Sequence, residues 1–304
     1  MTSPRVSTFA FSGRLNAENL RIQTELSKQQ IKISTGKVGL TYADTGRATQ
    51  RLLNVENDLA RIESQNVVAS NVSARIEAKF ATLTNILDLA GNLQQKLAQG
   101  LSGSLLVPAD VQNTASNAQG ALESLLNVNL GGRYLFSGDL IDTPPVDITD
   151  PAIIVQAPPY PSIPDTAYYQ GDNNLASAEI SDGFSITYGV TADHPGFEKL
   201  FRAMNIAANN PADPASITEA FDLVKEAVTD IGYIQTDLAS KASIIENQVV
   251  KNEDDANLFK SIISDISDTD LAATTVLLTQ LQTQLEASYS NTGRLTRLKL
   301  FNFL

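Results

Sequence analysis

The hydrophobic positions form two long stripes, one in each half of the chain. Leu52, Val55, Leu59, Ile62, Asn66, Ala69, Ser73, Ile76, Phe80, Leu83, Leu87 and Ala90 follow one another at alternating steps of three and four. This is the a/d spacing of a coiled-coil seam, with polar breaks at Asn66 and Ser73. No Pro or Gly interrupts the run between Arg47 and Ala90, so a helix is predicted over roughly 47–99, about 80 Å long. Ile217, Phe221, Val224, Val228, Ile231, Gln235, Leu238, Ala242, Ile245, Val249, Asn252, Ala256, Phe259, Ile263 and Ile266 repeat the alternation in the second half. That helix is expected to start near Asn209–Ser216, where Asn-Pro and Asp-Pro pairs mark a turn. Two rods of this kind bury their stripes against each other, antiparallel.

Shorter stripes lie at the two ends. Leu15, Asn19, Ile22, Leu26, Gln29 and Ile33 form a weaker heptad ended by Gly36 and Gly39, and Leu271, Thr274, Leu278, Leu281, Leu285, Ser288 and Leu295 form another. Both are narrow and interrupted by polar residues, so they are expected to gain order against neighbouring copies. A further helix is predicted over Ala109–Leu130, behind Pro108 and ended by Gly131-Gly132. Seven of the twelve prolines then fall between Pro144 and Pro164, which excludes a long helix there. Short β pieces are expected at 146–148, 153–155, 167–169, 175–180 and 184–190, with Asp182-Gly183 as a hairpin turn.

The predicted architecture is mainly α. The N- and C-terminal halves form a long antiparallel helical bundle or coiled coil, and a small β-rich domain is inserted between them. Its parts are a terminal helical assembly region, 1–40 with 270–304; a long-helix bundle, 41–138 with 198–269; and a β-rich, outward-facing insertion, 139–197.

Charge sharpens this division. The formal net charge is -12, yet residues 1–60 hold eight basic and five acidic side chains, while 134–198 hold ten acidic and no Lys or Arg. The balance argues against nucleic acid as the main partner, and the acidic middle suits a water-facing module. With no Cys, disulfides and thiolate chemistry are excluded. No apolar run is long enough to cross a bilayer, so no membrane insertion is expected. The first sixteen residues lack the pattern of a cleaved signal peptide, so export is expected by another route.

Candidate chemistry is sparse. The single His, His194, lies in a turn before Pro195-Gly196 and reads as a solvated side chain. Ser34-Thr35-Gly36-Lys37 lacks the upstream glycines of a phosphate loop, and Val38 stands where Ser or Thr is required. Glu253-Asp254-Asp255 and Asp265, Asp268 and Asp270 do not have calcium-loop spacing; the first reads as a solvated helix face, and Asp268 as a cap of the next helix. Asn71-Val72-Ser73 is a formal glycosylation sequon placed in mid-helix. No catalytic, metal-binding or cofactor site is predicted, and no cofactor is expected.

These features resemble the flagellin superfamily, in which terminal helices pair and a variable domain projects from the middle. Ile31-Lys32-Ile33-Ser34-Thr35-Gly36-Lys37 is similar to the family's Leu-Ser-Thr-Gly-Lys/Arg pattern, and Leu281–Leu304, with Thr292-Gly293-Arg294-Leu295, is similar to its closing helix. Gly131-Gly132-Arg133-Tyr134-Leu135-Phe136-Ser137-Gly138 and Tyr169-Gln170-Gly171-Asp172 resemble segments of its hook–filament junction branch. Tyr42–Ala48 departs from the acidic pair with Pro-Ala-Gly of filament flagellins. The resemblance implies a secreted structural subunit at the hook–filament junction of the extracellular flagellum. Its implied partners are its own copies in a ring or collar, a hook-side junction protein, flagellin and an export chaperone. A filament-forming flagellin and a coiled-coil adaptor or chaperone of secretion are the alternatives. Leu15, Ile22, Leu26, Ile33, Leu278, Leu281, Leu285, Leu295, Leu298 and Phe301 are the expected assembly contacts. Gly131–Gly138 is expected to fix the corner between helix and β-rich domain.

Overall fold

The computed structural model describes residues 4–102 and 107–301, and side chains at 10–11, 13–102 and 107–294. Among the described residues there are six α-helices: α1 (Pro4–Thr35), α2 (Thr49–Leu101), α3 (Pro108–Leu126), α4 (Pro195–Asn209), α5 (Pro214–Ser267) and α6 (Leu271–Phe301). Two small antiparallel ladders complete it, β1 (Asn129–Leu130) with β2 (Arg133–Tyr134), and β3 (Ser177–Ser181) with β4 (Phe184–Thr187). The mainly-α class expected from the stripes is the class observed. α2 and α3 start within two residues of their expected positions, α5 starts inside the expected turn segment, α1 begins well ahead of the Leu15 stripe, and α3 stops four residues short of Leu130.

The fold separates into two compact units. A terminal unit comprises Met1–Arg61 and Asp254–Leu304, and a larger unit comprises Ile62–Glu253. In the larger unit α2 and α5 run antiparallel: Gln235 Nε2 donates to Thr84 Oγ1 at 3.0 Å, and Asn252 Nδ2 donates to Asn66 Oδ1 at 2.8 Å. Ile217, Val224, Ile231, Leu238 and Ile245 of α5 are buried at alternating heptad positions, as a seam requires.

On α2 Leu52, Ile62, Ala69, Ile76, Leu83 and Ala90 of the predicted stripe are buried, but the buried face is broader than that stripe. Val72, Lys79 and Ile86 are buried, whereas Phe80 is 41% exposed. The cause is a wider load on this part of the helix. Besides α5, the common core includes α3, α4 and the segment after β2, and a helix with several neighbours buries more than one narrow seam.

α4 is a helix the stripes did not announce. Phe197, Leu200, Phe201, Ala203, Met204, Ile206 and Ala207 are all buried. Glu198 and Arg202 are buried as well and pair at 3.1 Å. His194 is its N-cap, with Nδ1 accepting from Gly196 N at 3.2 Å.

The proline-rich stretch has little strand. Of the expected pieces, a ladder forms at 177–181 with 184–187, and Val146 and Tyr169 make an isolated bridge. Aspartates supply much of what strands would have supplied. Asp147 accepts from Thr149 N at 2.8 Å, and Asp150 from Ala152 N at 2.8 Å. Asp165 accepts from Ile154 N at 2.7 Å and Ala167 N at 2.9 Å, and Asp172 from Asp139 N at 2.7 Å. Loop amides that lack a ladder partner need some acceptor, and a short carboxylate reaches them. The concentration of acid in this stretch is therefore partly structural.

Candidate functional site

The terminal unit is built on α1 packed antiparallel to α6. Asn19 Oδ1 accepts from Ser288 Oγ at 2.5 Å, and Gln23 Nε2 donates to Tyr289 Oη. Ile22 and Leu281 are buried on this seam at 6% and 8% exposure. Leu15, Leu26, Ile33, Leu278 and Leu285 are half-buried. Asn19, Gln29 and Thr274 are buried polar members, a composition that fixes register at a cost in stability. The side chains of Leu295, Leu298 and Phe301 lie outside the described residues. Of the ten expected contacts, the seven described thus line the seam between α1 and α6 of one chain. The two terminal stripes already complement each other.

The breaks that end α1 and begin α6 sit side by side. Gly36 takes a φ of 71°, open to glycine without strain, and its N–H reaches Lys32 O at 2.8 Å. Val38 N donates to Ser267 O, and Thr269 N to Gly36 O, both at 2.8 Å. Lys37 Nζ meets Asp268 Oδ1 at 2.5 Å. Asp268 therefore ties the two breaks together and does not cap α6. Asp270 caps it, accepting from Ala273 N at 3.0 Å. Hydrogen bonding by Lys37 holds the Asp268 carboxyl below its ordinary range, with Ser264 adding to the effect.

The sides of α1 and α6 away from their shared seam were not singled out from the stripes. Leu20 is 64% exposed, Ile31 39% and Val276 69%. On α1 they belong to a second row, Gly13, Ala17, Leu20, Thr24, Ser27 and Ile31, all exposed and again at steps of three and four. The charges keep off it: Arg14, Glu18, Arg21, Glu25, Lys28 and Lys32 form a separate row, with Glu18–Arg21 paired at 2.5 Å. Between Leu271 and Gly293, α6 holds one charged residue, Glu286. Thr275, Thr279 and Thr283 each turn the hydroxyl back to the carbonyl four residues earlier, at 2.6, 3.0 and 3.0 Å. A threonine bonded this way presents its methyl outward. On α1 the row has only two large apolar side chains, Leu20 and Ile31, spaced by small or hydroxyl residues, so it does not stand out as a stripe.

The Gly131–Gly138 segment lies in the larger unit. Gly131 and Gly132 take φ of 63° and 83° between β1 and β2, the conformation of a two-residue type I′ turn. Leu135, Phe136 and Ser137 are buried, and Arg133 and Tyr134 are half-buried. Phe136 packs edge-on against Phe197 at 5.9 Å, and its carbonyl accepts from Ala192 N at 2.9 Å. A Cβ on Gly138 would fall 2.0 Å from Asp172 Oδ1. These contacts tie the end of β2 to α4 and to the Asp172 loop. Among the described residues no group of three or more His, Asp and Glu side chains is arranged to hold a metal. Among the same described residues no helix is long and apolar enough to cross a membrane.

Comparison with known proteins agrees with this layout. The family described as the bacterial flagellin C-terminal helical region matches residues 217–304. Flagellar hook-associated protein 3 of Escherichia coli K12 is 22% identical over 300 residues, covering 92% of this chain and 93% of that protein. A chain from Vibrio parahaemolyticus, assigned as a flagellar hook-associated protein, superposes with a TM-score of 0.60 at 13% identity, covering 74% of this chain and all of that one. Flagellar hook-associated protein 3 from Legionella pneumophila superposes with a TM-score of 0.56 at 11% identity, covering 70% of this chain and 98% of that one. The chain is thus similar along most of its length to a flagellar hook-associated protein, shares its fold with solved hook-associated proteins, and matches the flagellin C-terminal helical region in its last part.

Proposed function

We propose that this chain forms the junction layer between the hook and filament of the bacterial flagellum, and is the adaptor on which flagellin assembles. It is a structural protein of the extracellular flagellum, and its role is mechanical. The observation that carries the reading is the uncharged outward side of the α1–α6 pair. An exposed face with Leu20, Ile31, Val276 and inward-bonded threonines gains free energy when covered. We assign its cover to further copies of the chain in a ring or collar, to a hook-side junction protein and to flagellin.

In this reading Leu15, Ile22, Leu26, Ile33, Leu278, Leu281 and Leu285 hold the pair together so that its outward side is presented. Leu295, Leu298 and Phe301 extend the same stripe to the end of α6. An export chaperone is proposed to shield this face before secretion. The role calls for no catalytic group and no cofactor.

Immunogold labelling of purified flagella tests the proposal. A single band at the hook–filament boundary is expected; label along the whole filament, or none on flagella, overturns it. Deleting residues 285–304 is expected to abolish incorporation while the larger unit keeps its fold.

A further inference from the structure

Lys79 lies on α2 in the core of the larger unit and is 2% exposed. Its Nζ donates to the Tyr188 carbonyl at 3.2 Å, and stands 5.2 Å from the Tyr188 ring centroid and 5.9 Å from that of Phe136. Among the described residues no carboxylate pairs with it. The charged groups that act on it are cations from three elements: Arg75 on α2, Arg133 on β2 and Lys241 on α5. Arg75 Nη1 donates to Tyr188 Oη at 2.9 Å, and Lys241 is bonded to Asp237 at 2.5 Å. Two ring faces and one carbonyl favour an ammonium here, but they do not replace its lost hydration. A neutral amine keeps the bond to Tyr188 and carries no such penalty.

We propose that Lys79 is a proton-controlled latch on the corner built from Phe136 and Tyr188. With the amine neutral, the corner and the end of β4 seat firmly on α2; with the ammonium present, they are held loosely. Burial first, then repulsion by Arg75, Lys241 and Arg133, lowers this lysine from 10.5 to about 7. The unfolded chain therefore binds the proton over a range where the folded one does not, and stability rises as pH rises from about 7 towards 10.5. Below the folded value both states are protonated, and this group adds no further pH dependence.

Hydrogen exchange of the full chain from about pH 7.5 to pH 9.5 tests the latch. That window lies above the ordinary histidine range and below the ordinary tyrosine range, and burial moves His194 down and Tyr168 and Tyr169 up, further outside it. The reporters are the amides of Tyr188 and Ala192, which donate to Ala176 O and Phe136 O at 2.9 Å each. Their protection factors are expected to rise by up to about tenfold per pH unit in the wild type. In Lys79→Met they should be flat and already high. A flat wild-type profile overturns the proposal, and so does an equal rise in both proteins, which would assign the proton elsewhere. If Lys79→Met does not fold, the wild type decides alone. A Lys79 13Cε titration with its midpoint near 7 supports the latch, and one near 10.5 overturns it.

Discussion

Asn66 of α2 and Asn252 of α5 meet across the long seam at 2.8 Å, with Asn252 only 3% exposed. Gln248 Nε2 also donates to Asn252 Oδ1, at 2.7 Å. A buried amide pair in an apolar seam is satisfied in one register and stranded in a shifted one. Asn252→Leu is expected to cost about 1–3 kcal/mol by leaving the Asn66 side chain short of its partner. Replacing both residues, with Asn66→Val and Asn252→Leu, should recover most of that loss. Urea unfolding followed by circular dichroism measures both. A double variant no more stable than the single one would mean the pair contributes more than register.

The outward and inward faces of the terminal helices should separate cleanly in mutants. Leu20→Glu and Val276→Glu, at exposed positions, are expected to change stability by no more than about 0.5 kcal/mol while preventing incorporation into flagella. Leu281→Ala, on the buried seam, is expected to cost about 2–5 kcal/mol. Thermal unfolding and a flagellar incorporation assay, run on all three, show whether assembly follows the exposed row or the seam.

Phe136 is fully buried against Phe197. Phe136→Ala is expected to destabilise the larger unit by about 3–5 kcal/mol. Protection should fall at residues 133–137 and 192–197, with that of α1 and α6 unchanged. Exchange mass spectrometry checks the localisation.

The tie between Lys37 and Asp268 should fail in acid. Asp268 is held below the ordinary aspartate value, chiefly by its hydrogen bond from Lys37. Its contribution is therefore present above the unfolded value and lost as pH falls through the lower, folded one. The amide of Thr269, which donates to Gly36 O, should be better protected in the wild type than in Asp268→Asn at about pH 6. The difference should vanish near about pH 2. Equal protection at neutral pH would show that the backbone bridge stands without the ion pair.

The long seams were legible because a period of 3.5 residues in apolar side chains has one economical packing solution, a partner helix. Reading failed where that premise failed. Phe80 was placed inside and the burial of Lys79 was not foreseen, because a single-partner seam was assumed where α2 has several neighbours. α4 has its own stripe, Phe197, Leu200, Phe201, Met204, Ala207 and Ala208, but at 15 residues it is too short to show the sustained heptads by which the long helices were recognised. The strands expected at 153–155 and 184–190 were read from β-branched content alone. Proline and the aspartate-capped turns around Asp150 and Asp165 took the first out of any ladder, and the second stops at Thr187. The terminal site was half legible. Its seam followed the heptads, while the outward row was hidden by threonines whose polarity is spent on their own helix.

The scarcity of charge on α6 bears on how subunits respond to their surroundings. Attraction between ions fades as electrolyte is added, but contact between methyl-bearing surfaces does not depend on it. Docking through this face should therefore hold in brackish and dilute media alike. Because apolar contact weakens on cooling, chilling, and not salt, is the condition expected to loosen it.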